Sequence, residues 1–268
     1  MYLCIDFGGT KTLLCVLSDT GEITHEVRFE TPADYPDFID RLVAEITTLP
    51  EQFNTGVMSV PGKINRNEGT IIALGNRPWT DCALRADILE RTGVHLELMN
   101  DAQLAGLAEA TQLREQYRRT MYVTVSTGIN IALAVDGALL PELHDVEFGK
   151  IPLHVDGAYV NWEDIASGRA IVATYNQRAS DITDPEIWRQ IAQKLVLGLG
   201  PACAAFQPEA IVFGGGAGMH ADKFIPDVRK ELEQILHPVI SRPQAYIATH
   251  FKDEGVIFGC YFYAKGRR

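Results

Sequence analysis

Met1-Tyr2-Leu3-Cys4-Ile5-Asp6-Phe7-Gly8-Gly9-Thr10-Lys11 opens the chain with a short apolar run that ends in an acid and two glycines. A second apolar run, residues 12–18, follows at once and is closed by Asp19-Thr20-Gly21. Two β-prone runs around a glycine pair predict a β-hairpin with Gly8 and Gly9 at its bend. Glycine carries no Cβ, so backbone N–H groups there can approach a phosphate closely. Thr10 adds a hydroxyl, Lys11 adds a cation, and Asp6 at the strand end is placed to hold a hydrated metal ion. The same residues also suit an ordinary glycine hairpin, and this stretch alone does not choose. It is neither a Walker loop nor a dinucleotide fingerprint, because both require a helix directly after the glycines.

The rest of the chain narrows the choice. Its 268 residues suffice for two modest domains or one large one. A hydrophobic content of 46% supports a folded core. A net charge of −11 argues against a nucleic-acid partner, which needs clustered Lys and Arg, but leaves room for a local nucleotide site. Five scattered cysteines without a CxxC pair read as buried free thiols of a reducing cytoplasm. The N-terminus shows no signal-peptide pattern, and no apolar run is long enough to span a membrane.

Periodicity predicts strands at residues 22–30, 55–60, 69–74 and 94–99, and helices at residues 35–48, 84–92 and 101–110. Gly93 is a C-terminal helix stop. A second hairpin is expected at residues 121–135, around Ser126-Thr127-Gly128. A βββαβα plan used twice accounts for the two hairpins. Further along come a strand at 150–155, helices at 165–175, 185–206, 224–236 and 255–264, and strands at 210–213 and 245–249. Mixed hairpins and βα units favour two α/β domains with a cleft between them.

Three glycine turns each follow an apolar strand: Gly8-Gly9, Thr127-Gly128 and Gly214-Gly215-Gly216. The first two suit phosphates, and the third suits an adenosine lying against backbone. All three also suit plain structural turns. Asp101 follows a strand and precedes an alanine-rich helix, so it reads either as a catalytic carboxylate at the mouth of a sheet or as a helix cap.

Taken in order, Asp6 to Lys11, Pro61-Gly62, Asn76-Arg77-Pro78-Trp79, Asn100-Asp101, Thr127-Gly128, Glu147-Phe148-Gly149 and Gly214 to Gly216 resemble the ROK family of repressors and sugar kinases. The resemblance runs from residue 2 to about 262. It implies the actin-like ATPase (ribonuclease H-like) fold, with residues 1–103 and the terminal helix 254–268 in a small domain and residues 104–253 in a larger one. It implies Asp6 as a water-mediated Mg²⁺ holder, and Gly8, Gly9, Thr10, Lys11, Thr127, Gly128, Gly214, Gly215 and Gly216 as ATP and phosphate contacts. Asn76, Asn100, Asp101, Glu147 and Glu163 would bind the sugar, with Asp101 as general base. Trp79 and Trp162 would then lie near the sugar.

The chain departs from the family pattern at Lys150, where a His is usual, and in residues 151–161, which lack the cysteines of the family's zinc loop. ATP and Mg²⁺ are therefore the expected cofactors, without zinc. The expected partners are a small-molecule sugar and a nucleotide, with a homodimer as the family's usual assembly and no nucleic acid or membrane. The expected activity is phosphorylation of a glucose or N-acetylhexosamine class sugar at its 6-hydroxyl. Ser126, Asn130 and Ala132 stand where the second turn usually carries glycine, which keeps polyphosphate open as a donor. A non-catalytic sugar sensor is the other alternative. The phosphate hairpin begins the chain with no DNA-binding segment ahead of it, which favours the kinase.

Overall fold

A computed structural model describes residues 1–75 and 77–266. The chain divides into two units, Met1–Ala105 with the segment from Val256 onward, and Gly106–Gly255. Each has its own hydrophobic core.

The first unit begins with β1 (Tyr2–Phe7), β2 (Lys11–Leu17) and β3 (Ile23–Glu30), then α1 (Tyr35–Thr47) and β4 (Thr55–Ser59). Three short strands follow, β5 (Lys63–Asn65), β6 (Thr70–Ala73) and β7 (Thr80–Cys82), forming a small antiparallel sheet of their own. Then come α2 (Leu84–Thr92), β8 (His95–Met99) and α3 (Asp101–Leu113). The main sheet has the order β3-β2-β1-β4-β8. Strand β1 lies at its centre, antiparallel to β2 and parallel to β4, and its residues read as a nearly unbroken apolar run because both faces are covered. Helix α1 buries Phe38, Ile39, Leu42 and Ile46, the stripe that its helical period predicts.

The second unit repeats the plan. Strands β9 (Arg119–Val125), β10 (Ile129–Val135) and β11 (Ala138–Leu139) form the meander. An inserted hairpin, β12 (Pro152–Val155) and β13 (Ala158–Asn161), leads to α4 (Trp162–Ala166), α5 (Gly168–Tyr175) and the 22-residue α6 (Pro185–Phe206). Strand β14 (Ala210–Gly214), the single turn α7 (Gly215–Gly218), α8 (Ile225–Ile235) and β15 (Ala245–Ala248) complete it. Its sheet order, β11-β10-β9-β14-β15, matches that of the first unit position for position, with the same parallel and antiparallel pairings. Helix α9 (Gly255–Gly266) returns the chain to the first unit, where Gly259 lies so close to α3 that a Cβ would come within 2.0 Å of the Leu104 carbonyl oxygen.

Two expectations need correction, and strands β5 and β7 are additions: with three residues each they are too short for alternation to show. The helix expected at 165–175 is two helices: the Ser167 hydroxyl accepts from Ala170 N and restarts the chain as α5. The strand expected from residue 150 starts at Pro152, because Phe148–Lys150 is a 3-10 turn.

Candidate active site

In the first unit the site residues gather at the carboxyl ends of three neighbouring parallel strands. Asp6 on β1 lies in register with Ser59 on β4, and Ser59 with Met99 on β8, directly before Asn100 and Asp101. Sheet topology thus brings together residues nearly 100 positions apart, at the edge where open α/β sheets bind ligands. Ser59 Oγ donates to Asp6 Oδ1 at 2.7 Å and accepts from Phe7 N at 3.0 Å. Burial raises the Asp6 pKa from an ordinary 3.8 to about 6; the Ser59 hydrogen bond pulls it down and the Asp101 charge adds a push upward.

Asp101 is raised as well, by burial first, against the pull of the Ala102 N–H. Its Oδ1 accepts from Ala102 N at 2.8 Å. The cap of α3 is its neighbour: Asn100 Oδ1 accepts from Ala102 N at 3.0 Å and Gln103 N at 3.4 Å. The capping alternative weighed for Asp101 therefore belongs to Asn100, and the Asp101 carboxylate stands at the first turn of the helix.

Between β1 and β2 the chain turns through Gly8, Gly9 and Thr10, closed by Gly8 N to Lys11 O at 3.0 Å. A Cβ on Gly8 would come within 2.7 Å of that same oxygen, so the turn requires glycine there. Thr10 and Lys11 are exposed. Trp79 stacks on Phe7, with centroids 5.6 Å apart, and donates to Ala33 O. Asn76 lies outside the described residues.

In the second unit, Ser126, Thr127 and Gly128 turn β9 into β10, with Ser126 N bonded to Gly128 O. Gly168 N donates to Ser126 O at 2.6 Å, which seats the start of α5 on this turn. Glu163 on α4 reaches the same place: its Oε2 lies 3.4 Å from where a Cβ on Gly128 would stand. Its Oε1 is held by two cations, Lys150 Nζ in a very short ion pair and Arg169 Nη2 at 3.3 Å. Glu147 sits before a 3-10 turn that presses on β10, since a Cβ on Gly149 would fall 1.9 Å from Ile129 O. Asn130 fastens that loop through Oδ1 to Phe148 N and through Nδ2 to Val146 O and Glu147 Oε2.

Gly214, Gly215 and Gly216 end β14 and begin α7. A Cβ on Gly214 would meet Tyr122 Oη at 2.2 Å, and one on Gly215, at φ 76°, would meet Thr124 Oγ1 at 2.7 Å. Glycine at these two positions is thus demanded by packing on β9. Only Gly216 opens onto free space. Trp162, expected near the sugar, is fully buried in the second core, its ring against Gly198 of α6 and its Nε1 donating to Lys194 O.

The β12–β13 hairpin occupies residues 152–161, closed by Asp156-Gly157 and an edge-on His154–Tyr159 pair. Among the described residues, no three His, Cys, Asp or Glu side chains are grouped to hold a metal ion. No described helix is long and apolar enough to cross a membrane.

Sequence reasoning did not single out Ser59, gave Arg77 no role of its own within its motif, and read Asn130 only as a replacement for a family glycine. For Asn130 a signal was present: it is the lone polar residue in an otherwise apolar strand.

The model of the ROK family matches residues 2–267, and the chain belongs to that family. It is 27% identical over 301 residues to an N-acetyl-D-glucosamine kinase of Salmonella heidelberg, covering 98% of each chain. It is 24% identical over 275 residues to a glucokinase of Streptomyces coelicolor, covering 87% of each. A ROK glucokinase from Streptomyces griseus, solved in complex with glucose and AMPPNP, superposes with a TM-score of 0.79 over 99% of each chain at 21% identity. The fold is that of the actin-like ATPases, as the repeated sheet order indicates.

Proposed function

We propose that this ROK protein is a sugar kinase that transfers the terminal phosphoryl group of ATP to the 6-hydroxyl of a hexose of the glucose or N-acetylhexosamine class. The observation that carries this reading is the pair of recessed carboxylates, Asp6 and Asp101, both raised by burial, at one sheet edge beside a glycine turn. Phosphoryl transfer needs a positioned hydroxyl, charge neutralisation and a proton acceptor. Asp101 would take the proton of the hydroxyl as the new P–O bond forms, and the bond to the departing ADP breaks. A raised pKa suits that task, because the base works best when its pKa lies near the working pH.

Asp6 would hold Mg²⁺ through water, and its oxygen chemistry fits that hard cation. Bound there, the metal would neutralise phosphate charge. Gly9, Thr10, Lys11, Thr127 and Gly128 would bind the phosphates. Glu147, Glu163, Asn76 and Asn100 would hydrogen-bond sugar hydroxyls, with the Nδ2 of Asn100 left for this while its Oδ1 caps α3. Gly216 is the one glycine of its turn that leaves room for an adenosine.

Coupled measurement of ADP release against a panel of hexoses tests the reading. ATP-dependent turnover of a glucose-class or N-acetylhexosamine sugar is expected. Turnover with polyphosphate alone would reassign the donor, and no turnover with any sugar and donor would favour a sensor.

A further inference from the structure

Arg77 has no place in the assignments above, yet it donates three hydrogen bonds at and beside the first glycine turn. Its Nη1 donates to Pro32 O at 2.6 Å, and its Nη2 donates to Gly9 O at 2.6 Å and Thr31 O at 2.9 Å. Its guanidinium lies over the Trp79 ring, 5.2 Å from the centroid. All three acceptors are backbone carbonyls, so this fork is spent on chain geometry rather than on a carboxylate.

Every carbonyl of the turn is tied in the same way. Gly8 O accepts from Thr31 Oγ1 at 2.8 Å, Gly9 O from Arg77, and Thr10 O from Thr31 N at 2.9 Å. The Thr31 hydroxyl gives its one proton to Gly8 O, so Thr12 Oγ1 is the donor in the 2.9 Å contact between the two threonines, and Thr31 is itself held in place. In a planar trans peptide the C=O and the next N–H point in opposite directions. Fixing the carbonyls of Gly8 and Gly9 therefore aims the N–H groups of Gly9 and Thr10 the other way. No acceptor among the described residues takes those two N–H groups. A charged donor on a carbonyl also polarises the peptide and strengthens its N–H as a donor.

We propose that Arg77 is a positioning residue for the phosphoryl donor: it grips the outer side of the Gly8–Thr10 turn so that the inner N–H groups are preset for phosphate oxygens. The inference rests on the kinase reading, in which this turn meets ATP. Arg77 itself touches no phosphate. Its position in the loop after β6, 68 residues from Gly9, also fastens the turn to the segment that carries Trp79.

The test is equilibrium binding of AMPPNP with Mg²⁺, without sugar, to the wild type, Arg77→Met and Arg77→Lys, alongside melting temperature. Arg77→Met should weaken AMPPNP binding by roughly tenfold or more, the usual cost of losing charge-assisted hydrogen bonds. Arg77→Lys should fall between the two, because an ammonium cannot reproduce the fork. Should Arg77→Met fail to fold, Thr31→Val carries the same test, since it removes the hydroxyl that bonds Gly8 O and accepts from Thr12, and it should also weaken AMPPNP. A lower melting temperature with AMPPNP affinity within twofold of wild type would overturn the positioning role and leave the kinase reading intact. A wild type that turns over sugar with polyphosphate and binds no AMPPNP would overturn both the donor assignment and this inference.

Discussion

Ser59 Oγ donates to Asp6 Oδ1 at 2.7 Å across two adjoining parallel strands, and the same oxygen accepts the Phe7 N–H. One hydroxyl thus serves a buried carboxylate and a buried backbone donor. Ser59→Ala leaves both short of a partner, which should cost about 1–3 kcal/mol of stability. It should also reduce turnover more than sugar affinity, since in the proposed reaction Asp6 would act on the phosphate side. Urea melts with steady-state kinetics check this; an unchanged midpoint would show that water replaces the hydroxyl.

The Asp6 carboxyl gives the fold a pH dependence of definite sign. Its pKa rises from 3.8 to about 6 on folding, so the folded chain holds a proton that the unfolded chain releases. Between those values stability falls as pH rises, and above about 6 the full cost of burying the charge, about 3 kcal/mol, remains. With chelator and without nucleotide, Asp6→Asn should melt higher than the wild type at pH 7.5, and the gap should close toward pH 4. A gap that does not change with pH would place the carboxyl in a wetter setting.

Lys150 and Arg169 converge on Oε1 of Glu163, beside the second glycine turn. Lys150 stands just before the β12–β13 hairpin and Glu163 just after it, and Trp162 N bonded to Ile151 O closes the stem between them. If Glu163 binds sugar, Lys150→Met should raise the sugar KM by roughly tenfold while the ATP KM stays near wild type. Lys150→His should alter the ranking of sugars in a panel. Equal shifts in both KM values would mean that the ion pair supports the turn and not the sugar.

Gly149→Ala probes the Glu147 loop. The added methyl would lie 1.9 Å from Ile129 O, so the 3-10 turn must lift off β10. Overpacking of this kind costs about 1–3 kcal/mol, and the displaced Glu147 should raise the sugar KM. Wild-type sugar KM at a lowered melting temperature would remove Glu147 from the sugar site.

Local signals carried much of the fold into view. The Gly8-Gly9 hairpin, the Gly93 stop of α2, with φ 74°, and the long α6 follow from neighbouring residues alone. Contacts across the chain were not visible in this way. Ser59 meets Asp6 over 53 residues and Arg77 meets Gly9 over 68, and no spacing rule links them. Gly214 and Gly215 show a second reason behind a local signal: a glycine run suggested a ligand, and the side chains of Tyr122 and Thr124 supply a steric demand for glycine at two of the three. The division of the 162–175 segment turned on one hydroxyl, that of Ser167, whose capping role needs the fold around it to show.

The catalytic assignment of Asp101 is tested most directly by kcat of Asp101→Asn with the best sugar of the panel and ATP. Asn keeps the size and the acceptor for Ala102 N, and Asn100 continues to cap α3, so the fold should melt at nearly the wild-type temperature. An amide cannot take the hydroxyl proton at neutral pH. A general base is typically worth ~10²–10⁴-fold, and kcat should fall by that order while sugar binding is kept. An Asp101→Asn protein that turns over within a few-fold of wild type would contradict the assignment of Asp101 as the base.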